Sequence, residues 1–231
     1  MDLQTPYLVV AGTDTEIGKT TVACALLVAL RESGIDVRGV KPVESGTAVQ
    51  ACRSDEDGQR LATAAGQSAP REALQRLKAP VAPPVAALDE GVELDPQGWL
   101  EEIRAIGRGA SLTLVEGAGG LLSPLAAGFD SRDLAGRLEA PVLVVAADSL
   151  GTLNHTLLTL EALHSRGLEV VGVIFSAPEV PDESTGRNAE VIAARFQALP
   201  VATLSRVEDA VAGARALMEQ GFVGRLLDGL R

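Results

Sequence analysis

Aromatic residues are nearly missing from this chain: one Trp, one Tyr and four Phe among 231 residues. Since 46% of the residues are hydrophobic, the core must be Val, Leu, Ile and Ala, the composition of a buried parallel sheet. Basic charge is short as well. Twenty Lys and Arg against 31 Asp and Glu leave a net charge of −11, the wrong sign for a nucleic-acid or membrane-surface partner. Two cysteines, Cys24 and Cys52, make no disulfide framework and read as thiols of a reduced, cytoplasmic setting. The N-terminus shows no cationic segment followed by an apolar run and a cleavage site. No apolar stretch reaches the roughly 18 residues of a membrane span. His155 and His164 fall on one expected helix with no further His or Cys beside them, so no metal site is read there.

What is present is concentrated early. Leu8-Val9-Val10-Ala11 is a short apolar run, Gly12-Thr13-Asp14-Thr15-Glu16-Ile17 a loop, and Gly18-Lys19-Thr20-Thr21 opens an Ala/Leu-rich helix. Strand, loop and helix in that order are the context of a phosphate-binding loop. Backbone N–H groups and the helix dipole make an anion site there. Lys19 can reach the outer phosphates, and the Thr20 hydroxyl can ligate Mg²⁺. The spacing departs from the usual one: position 13, where the first glycine is expected, holds Thr13, and the glycine sits one residue earlier at Gly12.

Along the chain, strands are expected at 7–11, 35–40, 111–115, 141–147, 169–175 and 201–204. Helices are expected at 18–33, from the acidic stretch to Ala65, and at 96–108, 130–138, 151–166 and 185–198, with one more at the C-terminus. That alternation means βαβ units. The fold class is α/β: one domain over residues 1–231, a mostly parallel sheet with helices on both faces, of the phosphate-loop NTPase type. Residues 66–98, with five prolines, read as a substrate-side loop region with short helices rather than a linker.

Ligands of open parallel sheets bind beyond the carboxyl ends of the strands, and three further groups fall there. Lys41, in Lys41-Pro42-Val43-Glu44-Ser45-Gly46, ends the second strand; an ammonium there can stabilise charge on a phosphoryl group or an anionic acceptor. Glu116, ahead of Gly117-Ala118-Gly119-Gly120, ends another and is a candidate metal ligand beside Thr20. A third oxygen can come from Asp55 or Asp57. Asp57 is preferred because a helical pattern through Leu61, Ala62 and Ala65 follows it, but either can equally be a solvated residue or a helix cap.

Together with Gly151-Thr152-Leu153-Asn154-His155, these motifs resemble the set of the dethiobiotin synthetases, in the same order and at similar spacing over residues 8–176. The resemblance implies an ATP- and Mg²⁺-dependent ligase that closes 7,8-diaminopelargonate and CO₂ into a cyclic urea, releasing ADP and phosphate. By motif, Lys19 and Lys41 would contact the γ-phosphate and the carbamate, and Thr15 and Ser45 the nitrogen-borne groups. Thr20, Asp57 and Glu116 would hold Mg²⁺. Residues 13–21 (Thr13, Asp14, Thr15, Glu16, Ile17, Gly18, Lys19, Thr20, Thr21) would cradle ATP. Gly119 and Gly151 to Asn154 would meet the substrate, the latter in the neighbouring subunit of a homodimer with shared sites. Where the family commonly reads adenine with an asparagine, this chain has Ser176, so ATP could be replaced by another nucleoside triphosphate. Two rivals share the nucleotide fold. Partitioning ATPases typically carry an extra lysine early in the loop, and Gly12-Thr13-Asp14-Thr15 has none. Amidoligases of the cobyrinate type need a glutamine-hydrolysing domain, for which 231 residues leave no room.

Overall fold

The computed structural model describes residues 6–47 and 53–231; Cys52 lies outside them. Six strands form one sheet: β1 (Tyr7–Gly12), β2 (Val37–Val40), β5 (Leu112–Glu116), β6 (Val142–Ala147), β7 (Val170–Ser176) and β8 (Val201–Leu204). Their spatial order is β2-β5-β1-β6-β7-β8, and every pairing is parallel. The strands read as unbroken apolar runs because both faces are covered. One face buries α1 (Lys19–Glu32), α2 (Asp57–Ala65), α8 (Ala210–Glu219) and α9 (Phe222–Gly229) against Leu8, Val10, Leu114 and Leu143. The other buries α3 (Pro83–Glu90), α4 (Pro96–Gly107), α5 (Ser131–Leu138), α6 (Thr152–His164) and α7 (Asn188–Arg195) against Val9, Val115, Val144 and Phe175. Alternate residues along one strand thus serve opposite cores.

Three expectations are corrected. Residues 35–36 are not strand: α1 is followed by the left-handed Gly34 (φ +80), and the Ile35 N–H folds back onto the Leu30 carbonyl at 3.1 Å, satisfying the helix terminus. The C-terminal helix is two helices, separated by the left-handed Gly221 (φ +65). Within 66–98 the chain forms not only α3, which starts on Pro83, but a two-residue strand, β4 (Gln75–Arg76), parallel to β3 (Val43–Glu44). This annex fastens the segment after Lys41 to the rest of the molecule. Leu74 N–H donates to the Lys41 carbonyl, Gln75 N–H to Pro42 and Leu77 N–H to Glu44, at 2.8–3.0 Å.

Register explains how distant residues meet. Val40 pairs with Val115 across β2 and β5, so the next residue of each strand, Lys41 and Glu116, emerges side by side at the carboxyl edge. Val10 pairs with Glu116 across β1 and β5, which brings the loop after β1 to the same edge.

Candidate active site

Residues 13–18 turn from β1 into α1 with two left-handed residues, Glu16 (φ +56) and Gly18 (φ +88). Gly18 is required twice over. Its backbone conformation favours glycine, and a Cβ there would lie 2.3 Å from the Ser176 hydroxyl. No side chain caps α1, so its first N–H groups point into the loop as anion donors. Lys19 is buried, and its ammonium donates to the Asp14 carbonyl at 2.8 Å. Burial, helped by the nearby Lys41 charge, lowers the Lys19 pKa to about 8.

Beside the loop lies a cleft of about 600 Å³ lined by Thr15, Glu16, Lys19, Thr20, Lys41 and Asp57, and also by Ser45, Glu116, Gly119 and Ser123. Lys41, 3% exposed, is its hub. The Lys41 ammonium donates to Glu116 Oε1 at 2.7 Å, to Asp57 Oδ2 at 2.8 Å and to the Gly117 carbonyl at 3.2 Å. Thr20 Oγ1 donates to the same Glu116 oxygen at 2.7 Å. Burial would neutralise Lys41, but the two carboxylates outweigh it and raise its pKa above the lysine range, so it stays charged. Burial would likewise raise Asp57; the Lys41 ammonium reverses this and holds it below the usual carboxylate range.

The geometry tests whether Mg²⁺ fits. Glu116 is fully buried, and burial pushes its carboxyl up against the pull of Lys41. Its Oε2 has no hydrogen-bond partner among the described residues, an orphan that a cation would satisfy. Two carboxylates and a hydroxyl are hard oxygen donors of the kind Mg²⁺ prefers. Among the described residues no group of three or more His, Cys, Asp or Glu can hold a metal unaided, so phosphate and water oxygens would complete the shell. The donor set fits Mg²⁺ bound with a nucleotide.

The sequence expectations divide four ways. Lys19, Thr20, Thr21, Lys41, Ser45, Asp57, Glu116, Thr15, Glu16 and Gly119 line one cleft. Thr13 and Asp14 line a neighbouring hollow with Gly120 and His155, while Ile17 and Ser176 line another behind the loop with Glu179 and Arg206. Gly151, Leu153 and Asn154 are outside the cleft, and Gly151 and Asn154 are exposed. Asp55 is exposed in a 3₁₀ turn, and Asp57 alone of the two bonds Lys41. Sequence reasoning missed Arg60, whose guanidinium bonds Thr21 Oγ1 at 3.4 Å and faces the cleft one helical turn after Asp57. It also missed Glu44, a buried carboxylate within a motif otherwise read for its lysine and serine.

Comparison with known proteins decides the family. The dethiobiotin synthetase of Anaeromyxobacter dehalogenans is 44% identical over 214 residues, covering 91% of this chain and 94% of that one. The chain belongs to the dethiobiotin synthetase family. The synthetase of Aromatoleum aromaticum is 40% identical over 81% of this chain and 85% of its own length. A family model described as an AAA domain matches residues 7–212. Among solved structures, the septum site-determining protein MinD of Pyrococcus horikoshii covers 98% of this chain and 96% of its own, with a TM-score of 0.56 at 18% identity. That likeness shows the phosphate-loop NTPase fold alone, so the synthetase family, not the partitioning ATPase, is the affiliation.

Proposed function

We propose that this chain is an ATP-dependent dethiobiotin synthetase, joining 7,8-diaminopelargonate and CO₂ as a cyclic urea with release of ADP and phosphate. The observation that carries the reading is the Lys41 ammonium seated between Asp57 and Glu116 in a cleft that begins at the phosphate loop. One substrate amine takes up CO₂ as a carbamate. A carbamate oxygen attacks the γ-phosphorus, the bond to ADP breaks, and a carbamic–phosphoric anhydride forms. The second amine then attacks the carbonyl carbon, phosphate leaves, and the ring closes. Positioning and cationic clamps suffice for this chemistry. In keeping with that, no histidine or cysteine lines the cleft among the described residues.

Lys19 leaves the Asp14 carbonyl for the phosphates, whose charge restores full protonation. Lys41 faces the anionic carbamate and the transferring phosphoryl group. Thr15 and Ser45, both on the cleft wall, hold the nitrogen-borne groups. Mg²⁺ held by Thr20, Asp57 and Glu116 would supply charge neutralisation on the phosphates. Incubation with diaminopelargonate, bicarbonate and Mg-ATP, followed by mass spectrometry, tests the reading: dethiobiotin appears only with all three.

We place the enzyme in the cytoplasm as a homodimer of one-domain chains with shared sites. The first turn of α6 has no side-chain cap, and the buried Thr152 hydroxyl lacks a partner among the described residues, which suits the substrate's terminal carboxylate. Leu122, Leu150 and Leu158 are exposed on this side, an apolar surface that a second copy would cover. Mixing Lys19→Ala with Asn154→Ala chains, after dissociation and reassembly, tests sharing. Mixed dimers restore one good site of two, about a quarter of wild-type activity overall; no recovery with mixed dimers formed rules it out.

A further inference from the structure

Glu44 is a carboxylate with no task in the reaction, yet it is 3% exposed and borders the phosphate cleft. Both of its oxygens are engaged by one helix end. Oε1 accepts from the Asp57 N–H at 2.7 Å, and Oε2 from the Gly58 N–H at 3.1 Å. These are the first two N–H groups of α2. The residue that should cap them, Glu56, has extended backbone (φ −62, ψ 139) but makes no capping bond. Its carboxylate is instead gripped by the Arg76 guanidinium, with Arg76 Nε at 2.7 Å. Arg76 stands opposite Glu44 in the β3–β4 pair. The cap of α2 therefore comes from another part of the chain, the segment that follows Lys41.

The helix start is fixed from the other side as well. A Cβ on Gly58 would fall 2.2 Å from the Ala73 nitrogen and 2.5 Å from the Glu72 carbonyl carbon, so the first turn of α2 rests directly on backbone. The residue so fixed is Asp57, whose side chain bonds Lys41 at 2.8 Å. Since Lys41 and Glu44 belong to one short segment, a single stretch of chain holds both ends of Asp57: its ammonium takes the carboxylate, and its carboxylate takes the backbone N–H.

We propose that Glu44 is a positioning residue, which caps α2 from outside the helix and thereby aims the Asp57 carboxylate at the metal-nucleotide position. The proposal rests on the reading of Asp57 as a Mg²⁺ ligand. A neutral serine or asparagine at the helix's own cap would satisfy the N–H groups equally well, but would not tie α2 to the Lys41 segment. Here each Glu44 oxygen accepts from an N–H at the start of α2, where the positive end of the helix dipole favours a carboxylate. Groups that orient a metal ligand alter metal affinity without touching the metal.

The experiment measures binding of a non-hydrolysable ATP analogue by calorimetry with Mg²⁺ and with EDTA. The ratio of the two affinities is the Mg²⁺ enhancement. Glu44→Gln keeps the volume but turns an amide N–H₂ toward a backbone N–H. It lowers the enhancement about ten- to a hundred-fold, while binding in EDTA stays within about two-fold. Asp57→Asn removes the enhancement in the wild type and adds little in the Glu44→Gln background, because the two act in series. Equal loss with and without Mg²⁺, or fully additive effects, reduces Glu44 to a stability role and overturns the proposal. If Asp57→Asn keeps the enhancement, the metal reading itself fails. If Asp57→Asn abolishes it and Glu44→Gln does not change it, only the Glu44 proposal fails. Should Glu44→Gln not fold, Glu44→Asp, whose shorter side chain reaches one N–H instead of two, gives an intermediate enhancement; an unchanged one overturns the proposal.

Discussion

Replacing Lys41 with methionine removes a charge and leaves the volume nearly intact. In the wild type the ammonium joins Glu116 and Asp57 at 2.7 and 2.8 Å, with side chains 4%, 0% and 28% exposed. Lys41→Met leaves the Glu116 carboxylate buried with only the Thr20 hydroxyl as donor among the described residues. Breaking a buried pair from one side costs about 3–5 kcal/mol. For a chain of this size that is a melting-temperature fall of roughly 6–20 °C at neutral pH. The sign of the pH effect follows from the shifts. The Asp57 pKa is lowered in the wild type, so its stabilising contribution is present above the unfolded carboxylate pKa and is lost as pH falls through the lower folded value. In Lys41→Met the ammonium's pull is gone and both carboxyls titrate higher, so acidification toward pH 5 narrows the gap between variant and wild type. Adding Glu116→Gln removes the stranded charge and recovers most of the lost stability. Thermal denaturation from pH 5 to 8 reads all of this. A Lys41→Met melting temperature within about 2 °C of wild type at pH 7, with no rescue by Glu116→Gln, would refute the reasoning.

Other consequences are independent. Lys41→Ala lowers turnover by orders of magnitude with nucleotide affinity within a few-fold, because it acts on developing charge, whereas Lys19→Ala weakens nucleotide binding itself; steady-state kinetics and calorimetry separate the two. Burial lowers the Lys19 pKa to about 8 in the free protein and bound phosphate holds it charged, so nucleotide binding around pH 8 takes up about half a proton; calorimetry in buffers of different ionisation enthalpy detects it, and a buffer-independent heat contradicts it. Ser176 offers no amide fork, so rates with sub-saturating ATP, GTP and CTP lie close together; a preference of several orders of magnitude for ATP means that another group reads the base. Gly18→Ala would place a Cβ 2.3 Å from the Ser176 hydroxyl at φ +88 and weakens nucleotide binding far more than Gly186→Ala, where no atom lies within 4 Å, as binding assays would show.

The sheet and the phosphate loop were legible because short unbroken apolar runs mark strands buried on both faces, an Ala/Leu-rich stretch marks the buried helix α1, and Gly18-Lys19-Thr20 has a local mechanism. Lys41 and Glu116 were legible by position, Lys41 just past the carboxyl end of β2 and Glu116 at that of β5, where the register of the two strands brings them together. The choice of Asp57 over Asp55 was legible only as a helix start; its bond to Lys41 spans 16 residues and no local pattern encodes it. Glu44 was harder still. Within a strand of two residues there is no period, and its cap on α2 reaches across 13 residues to backbone N–H groups. The break at Gly221 was hidden because Leu217 and Phe222 face one core on both sides of it.

Phosphate release is the most direct test of the central claim that this cleft transfers a phosphoryl group to a substrate carbamate. Release from ATP is followed with diaminopelargonate and bicarbonate present, and with each omitted in turn. The account predicts release only when both are present, one phosphate per dethiobiotin formed. Release that continues at the same rate without the diamine would contradict it, and would mark the chain as a nucleotide-hydrolysing switch instead.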